Sequence, residues 1–254
     1  MPTLNLIVVF TLGIAQGFCL SDEYDATLAK IMNRCIDSIN HKPEPGVEAI
    51  LGGQCAPWKN RSCCSHENQD KLHELKLYNF DFEHCSQKLS PKCRKHFIQD
   101  LCFYECSPNT GPWIVSGIKM KIRKERFYKV PLCQSDCEFW YDACQDDLTC
   151  IRNWIRDFEW KSGKNNCPLT SPGCKKFKHI WETAKDFCEE IWDHSWEVVP
   201  DNQNCMRLWF EGENPNDHVA IIKAYEMLGS KGTHFGSASL AALVALKLFL
   251  IRLV

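Results

Sequence analysis

The sequence predicts an α+β fold: a single disulfide-rich, helix-rich, irregular globular domain with short β strands and eight disulfides. Three observations carry this. Sixteen cysteines lie between Cys35 and Cys205; an even set at that density implies bridges made in an oxidising compartment. Four stretches are long enough to show a helical face, and turn punctuation is scattered between them with no repeat. A seventeenth cysteine, Cys19, stands apart in an apolar leader.

The leader, residues 1–19, carries no charged side chain. Bulky apolar residues from Leu4 to Ile14 give way to small ones at Ala15 and Gly17, the pattern of a secretory signal too short to span a bilayer. Cleavage after Cys19 leaves an even number of cysteines. At the other end, the closing run LAALVALKLFLIRLV is shorter than the ~20 residues a spanning helix needs and is interrupted by Lys247 and Arg252. Small residues upstream, Ser230 or Gly229 with Gly232 beyond, followed by a polar spacer, match a glycosylphosphatidylinositol (GPI) attachment signal whose tail, residues 231–254, is removed. Residues 20–230 are then one ligand-binding domain on the extracellular face of the plasma membrane. The formal charge of −2 implies no nucleic-acid partner. Asn60-Arg61-Ser62 is a glycosylation acceptor.

Helices are expected at Glu23 to Asn40, Pro91 to Tyr104, Leu132 to Cys144 and Trp181 to Trp192. Pro91 suits a first helical position, where its missing donor costs nothing. Cys102 and Cys106, like Cys133, Cys137 and Cys144, recur at helical intervals, so each helix can be stapled along one stripe. Short strands are expected at Phe127 to Val130 and Glu197 to Val199. Zinc or redox chemistry is disfavoured, since no two cysteines are separated by two residues and cysteine does not alternate with histidine as ligand. Metal: none is expected.

The phosphate-cradling glycine loop, the Gly-x-Ser-x-Gly elbow and the His-Glu-x-x-His helix are absent, so the chain does not read as an enzyme, and no cofactor is implied. It does carry nine tryptophans. At least half are assigned to the core; the rest can line a slot for a flat ligand. Three polar features could orient one. Asp100 and Tyr104, four apart, share a helix face. Arg123-Lys124-Glu125-Arg126 brings two guanidiniums close together. Trp192-Asp193-His194-Ser195-Trp196 sets a hydroxyl between indoles.

The runs CRKHFIQDLCFYECSPNTGPWI from Cys93, IRKERFYKVPLCQSDCEFWYDAC from Ile122 and CIRNW from Cys150 resemble the folate receptor family. The resemblance covers about Met32 to Tyr225 and all sixteen cysteines. The family also includes the egg-surface sperm receptor Juno and is more distantly similar to riboflavin-binding proteins. The resemblance implies bridges joining Cys35 to Cys63, Cys55 to Cys102, Cys64 to Cys106, Cys85 to Cys174, Cys93 to Cys144, Cys133 to Cys205, Cys137 to Cys188 and Cys150 to Cys167.

It further implies a pterin held between the rings of Tyr78, Phe80, Tyr104 and Trp192. Asp100 would accept from the pterin's amino and ring N–H groups, and Ser195 would meet its polar edge. Arg123 and Arg126, with Lys124 between them, would lie at the opposite edge. Asp100 is expected to be satisfied only when such a guest docks. Two departures from the family pattern stand out. Ile122 replaces a tryptophan, and Ile155-Arg156-Asp157-Phe158-Glu159-Trp160 replaces a donor-rich run that meets the ligand's glutamate tail. Trp160 is retained, Phe158 and Arg156 are partial substitutes, and Asp157 and Glu159 would repel the tail if they point inward. The function implied is a GPI-anchored receptor that carries folic acid and reduced folates into endosomes. A Juno-type adhesion receptor for a sperm-surface protein, or a carrier of riboflavin, is the alternative.

Overall fold

A computed structural model describes residues 26–117 and 123–231. These fall into two compact units: Asn33–Ala220, and a smaller one made of residues 26–32 with 221–231. The leader, the tail beyond residue 231 and Ile122 lie outside the described residues. No helix among the described residues is long and apolar enough to cross a membrane.

The expected class is the observed one, an α+β domain held by eight disulfides. The first helix, α1 (26–32), stops well short of Asn40. Cys35 is tied to Cys63, and the Cys35 N–H donates to the Pro43 carbonyl, so the chain turns into strand β1 (His41–Gly46) instead of continuing as helix. Strand β1 pairs antiparallel with β2 (Ser62–Cys64), and α2 (Gln69–His73) is short. Asn60 is exposed just before β2, while Ser62 is fully buried.

Helix α3 (Pro91–Cys106) is where the sequence placed it. Pro91 occupies the first turn, and the Ser90 hydroxyl accepts from the Cys93 N–H at 3.3 Å while donating to Asp147 at 2.7 Å. Three bridges bolt α3 in place: Cys93–Cys144, Cys55–Cys102 and Cys64–Cys106. All eight pairings implied by the resemblance are present.

Strand β3 (Ile114–Ser116) pairs antiparallel with β4 (Glu125–Phe127), and β5 (Val130–Cys133) pairs parallel with β10 (Trp196–Val199). The expected strand Phe127 to Val130 is therefore two strand ends and a turn, with Lys129 left-handed at φ 55°. Helix α4 (Gln134–Cys144) begins two residues later than expected because Leu132 and Cys133 finish β5. The pairs β6 (Leu148–Thr149) with β9 (Lys175–Lys176), and β7 (Glu159–Lys161) with β8 (Lys164–Asn166), complete the strands.

Helix α5 (Ala184–Glu190) is shorter than Trp181 to Trp192 because Thr183 caps it, its hydroxyl accepting from the Asp186 N–H at 3.1 Å. The sequence reading missed α6 (Asn216–Lys231), although Pro215 just before it is a start signal. Gly229 is exposed near its end. The core is aromatic, with Trp58, Trp113, Trp140, Trp154, Trp181 and Trp196 buried beside Phe97, Phe103, Phe177 and Phe187, so most tryptophans do pack the interior.

Candidate functional site

A cleft open on one side is lined by residues from four places in the chain. Helix α3 contributes Asp100, Leu101 and Tyr104 to one wall, with Asp100 and Tyr104 about one turn apart as their spacing requires. The segment before α3 contributes Leu77, Tyr78, Phe80 and Phe82. Arg123 and Phe127 come from around β4, and Trp154, Ile155, Trp160, Trp192, Ser195 and Trp196 come from the second half of the domain. The apolar face is continuous: Phe80 stacks on Trp154 at 5.7 Å, which stacks on Phe97 at 5.1 Å.

Asp100 is only 4 % exposed. Its Oδ2 accepts from the Trp192 indole N–H at 2.9 Å and its Oδ1 from the Trp196 indole N–H at 3.0 Å. The carboxylate is thus not left waiting for a guest, which corrects the sequence expectation. Each oxygen has capacity for a further donor. Burial pushes its pKa up to about 7 against the lowering effect of the two indoles.

The turn that aims those indoles is itself built. Asp193 and His194 are both left-handed, at φ 52° and 59°. The buried Asp193 carboxylate collects Arg126 together with Arg156 Nε at 2.6 Å and Asn153 Nδ2 at 3.0 Å. Burial pushes its pKa up, but these hydrogen bonds prevail and hold it at about 2. Ser195 Oγ donates to the Trp192 carbonyl at 2.8 Å.

Arg123 is 8 % exposed. Its Nη1 donates to the Tyr104 hydroxyl at 3.2 Å and its guanidinium lies 5.9 Å from the centre of that ring. Among the described residues its Nε has no partner and no carboxylate comes within ion-pair distance. Facing the cavity are therefore a buried acceptor, Asp100, and a buried donor, Arg123.

Of the residues singled out from sequence, Tyr78, Phe80, Asp100, Tyr104, Arg123, Trp160, Trp192 and Ser195 line the cleft. Three do not. Arg126 is turned away into Asp193, because successive residues of β4 face opposite sides and Phe127 takes the cavity side. Lys124 is exposed and pairs with Asp37 at 3.3 Å. Phe158 is buried behind Phe80, its ring edge-on at 5.6 Å and also against His84. Asp157 and Glu159 do not line the cleft either: Asp157 Oδ2 accepts from the Asn153 N–H at 3.1 Å, and Glu159 pairs with Lys161. Sequence reasoning did not select Phe82, Leu101, Phe127, Trp154 and Trp196. The four-residue spacing of Trp192 and Trp196 was a usable signal for the last.

The sequence profile described as the folate receptor family matches residues 34–207, more than half of the chain. The chain belongs to the folate receptor family. Human folate receptor gamma is 41 % identical over 234 residues, 89 % of this chain and 92 % of the relative. Bovine folate receptor alpha is 42 % identical over 201 residues, 76 % of this chain and 82 % of the relative. The riboflavin-binding protein of Dromaius novaehollandiae is 32 % identical over 191 residues, 74 % of each chain. All sixteen cysteines that suggested the family lie within the matched segment.

Three buried carboxylates in this family member, Asp100, Glu105 and Asp136, are raised chiefly by desolvation. In each case the folded chain holds the proton more tightly than the unfolded chain. Their contribution to stability therefore falls as pH rises from the ordinary carboxylate range toward the raised values, about 7 for Asp100. Burial lowers the pKa of His84 and of His96, the latter to about 4, and this takes stability away as pH falls over the same range, so the two effects oppose each other and the ligand-free domain is expected to melt within about 5 °C at about pH 5.5 and about pH 7.5; a larger shift in either direction by calorimetry would contradict this.

Proposed function

We propose that this protein is a cell-surface receptor that binds folates in the cleft, is held to the membrane by a GPI lipid and carries its ligand inward by endocytosis, without chemistry on the ligand. The observation that carries the reading is that buried Asp100 and buried Arg123 line the same aromatic slot. A flat guest suited to it has donors on one edge and acceptors on another, which describes the 2-amino-4-oxopteridine head of a folate. Its amino and ring N–H groups reach the open lone pairs of Asp100, its carbonyl oxygen and ring nitrogens suit Arg123, and its faces suit Tyr78, Phe80 and Trp192. Relatives named folate receptors, at about two-fifths identity, support the same reading.

Relatives named riboflavin-binding proteins keep a flavin as the second reading. A flavin also stacks, but its imide offers one N–H between two carbonyls, where Asp100 has room for two donors. Titration of the ectodomain with folic acid, 5-methyltetrahydrofolate and riboflavin, followed by tryptophan quenching, tests the reading. Saturable quenching by both folates, with riboflavin at least about tenfold weaker, is expected. No response to either folate would remove the proposal.

Among the described residues the lining carries a single cation, Arg123, and it is deeply buried, whereas the half-exposed Trp160 marks the open side. Arg156 and Lys161 are engaged with Asp193 and Glu159. The glutamate tail of a folate therefore gains little here. Pteroic acid, which lacks that glutamate, is expected to bind within about threefold of folic acid, less than ~1 kcal/mol. A tenfold or larger preference for folic acid in the same titration would show a tail contact that this reading omits.

A further inference from the structure

A second buried polar cluster lies behind the Tyr78 wall, built from β1, the segment before α3 and α3 itself. The side chains of His41 and Glu105 are 1 % and 2 % exposed, with His41 Nδ1 3.6 Å from Glu105 Oε2. His41 Nε2 lies 3.1 Å from the Tyr104 carbonyl oxygen. A carbonyl only accepts, so Nε2 must carry hydrogen, which fixes the other nitrogen as the one facing Glu105. Among the described residues neither Nδ1 nor Oε2 has a hydrogen-bond partner of its own. Without a proton between them, two lone pairs would confront each other in a dry interior; with one, either an imidazolium–carboxylate pair or an imidazole–carboxylic acid pair results.

The remaining oxygen, Glu105 Oε1, accepts from the Tyr78 hydroxyl at 2.6 Å. Burial, then the charge of Glu105, pushes the Tyr78 phenol far above its ordinary range, so it remains a donor. Tyr78 and Asn79 are both left-handed, at φ 60° and 56°, a conformation that costs such residues free energy and persists only where neighbours hold it. Arg123 is linked to the cluster through the Tyr104 hydroxyl, and its charge acts on Glu105. Ser38 Oγ, 3.4 Å from the Tyr78 hydroxyl, completes the surroundings.

We propose that His41 and Glu105 share one buried proton and act together as positioning residues, pinning Tyr78 in its left-handed turn so that its ring forms a wall of the ligand cleft. The effect on ligand rests on the folate reading above; the shared proton does not. Glu105→Gln keeps the acceptor for Tyr78 and offers an N–H to His41 Nδ1. Its affinity for folic acid is expected to stay within about threefold of the parent, while Glu105→Ala and Tyr78→Phe each weaken it about tenfold. Because both act through one hydrogen bond, the double variant is expected to be no weaker than either single.

Additive losses, or a Gln variant as weak as the Ala variant, would overturn the positioning role. Independently of any ligand, NMR of the parent with ¹⁵N-labelled histidine is expected to show a slowly exchanging proton between His41 Nδ1 and Glu105 that vanishes in Glu105→Ala. Its absence from the parent overturns the shared proton. A parent that shows this proton yet binds no folic acid would instead count against the folate reading alone.

Discussion

Affinity for folic acid is expected to fall about 50-fold between pH 7 and pH 5, with most of the fall traceable to Asp100. The free carboxyl titrates at about 7 because burial outweighs the two indole donors. A ligand that donates two N–H groups binds the ionised form, and at two units below that pKa roughly one molecule in a hundred is ionised. Affinity should therefore decline by about one logarithmic unit per pH unit below 7 and level off above it. Asp100→Asn tests the assignment: removing two charge-assisted hydrogen bonds should weaken binding at pH 7 by at least ~100-fold, about 3 kcal/mol, and flatten the pH profile. Equilibrium dialysis across the pH range decides it. A variant with parental affinity, or one retaining the parental slope, would take Asp100 out of the site. His194, which precedes Ser195, is exposed and is not among the lining residues.

Loss of the Cys85–Cys174 bridge is expected to lower the melting temperature by roughly 6–12 °C. This bridge has the longest sequence separation, 89 residues, and such a loop closed alone would contribute nearly ~5 kcal/mol. The bridges Cys93–Cys144 and Cys150–Cys167 already shorten the path between its ends. With them intact, only roughly two dozen residues are newly closed, and the contribution drops to about 3 kcal/mol. Both cysteines are at least partly exposed, so Cys85→Ser with Cys174→Ser leaves no core void to confound the result. Calorimetry of the double variant checks this. An unchanged melting temperature would show that the remaining bridges already restrict the unfolded chain as far as this one does.

The parts legible in the sequence are those governed by local spacing or by chemistry that needs no partner. Pro91 and the Asp100–Tyr104 interval specified a helix and its cleft-facing side, because helical geometry sets which residues share a face. The same reasoning failed for Glu23 to Asn40, where a periodic stretch is cut short by the long-range Cys35–Cys63 tie. It also failed for Arg126, which was grouped with Arg123 by proximity and then separated by strand alternation and by the demand of buried Asp193.

The chain by itself determined an oxidised, disulfide-framed α+β domain, its family, and the aromatic and acidic groups available to hold a flat ligand. Only the folded arrangement decided which arginine enters the cleft, that two indoles already serve Asp100, and that His41 meets Glu105 across 63 intervening residues. Burial and charge partnership depend on segments distant in sequence. The pKa of Asp100 and the proton between His41 and Glu105 follow from that burial, so no local reading of residues could have supplied them.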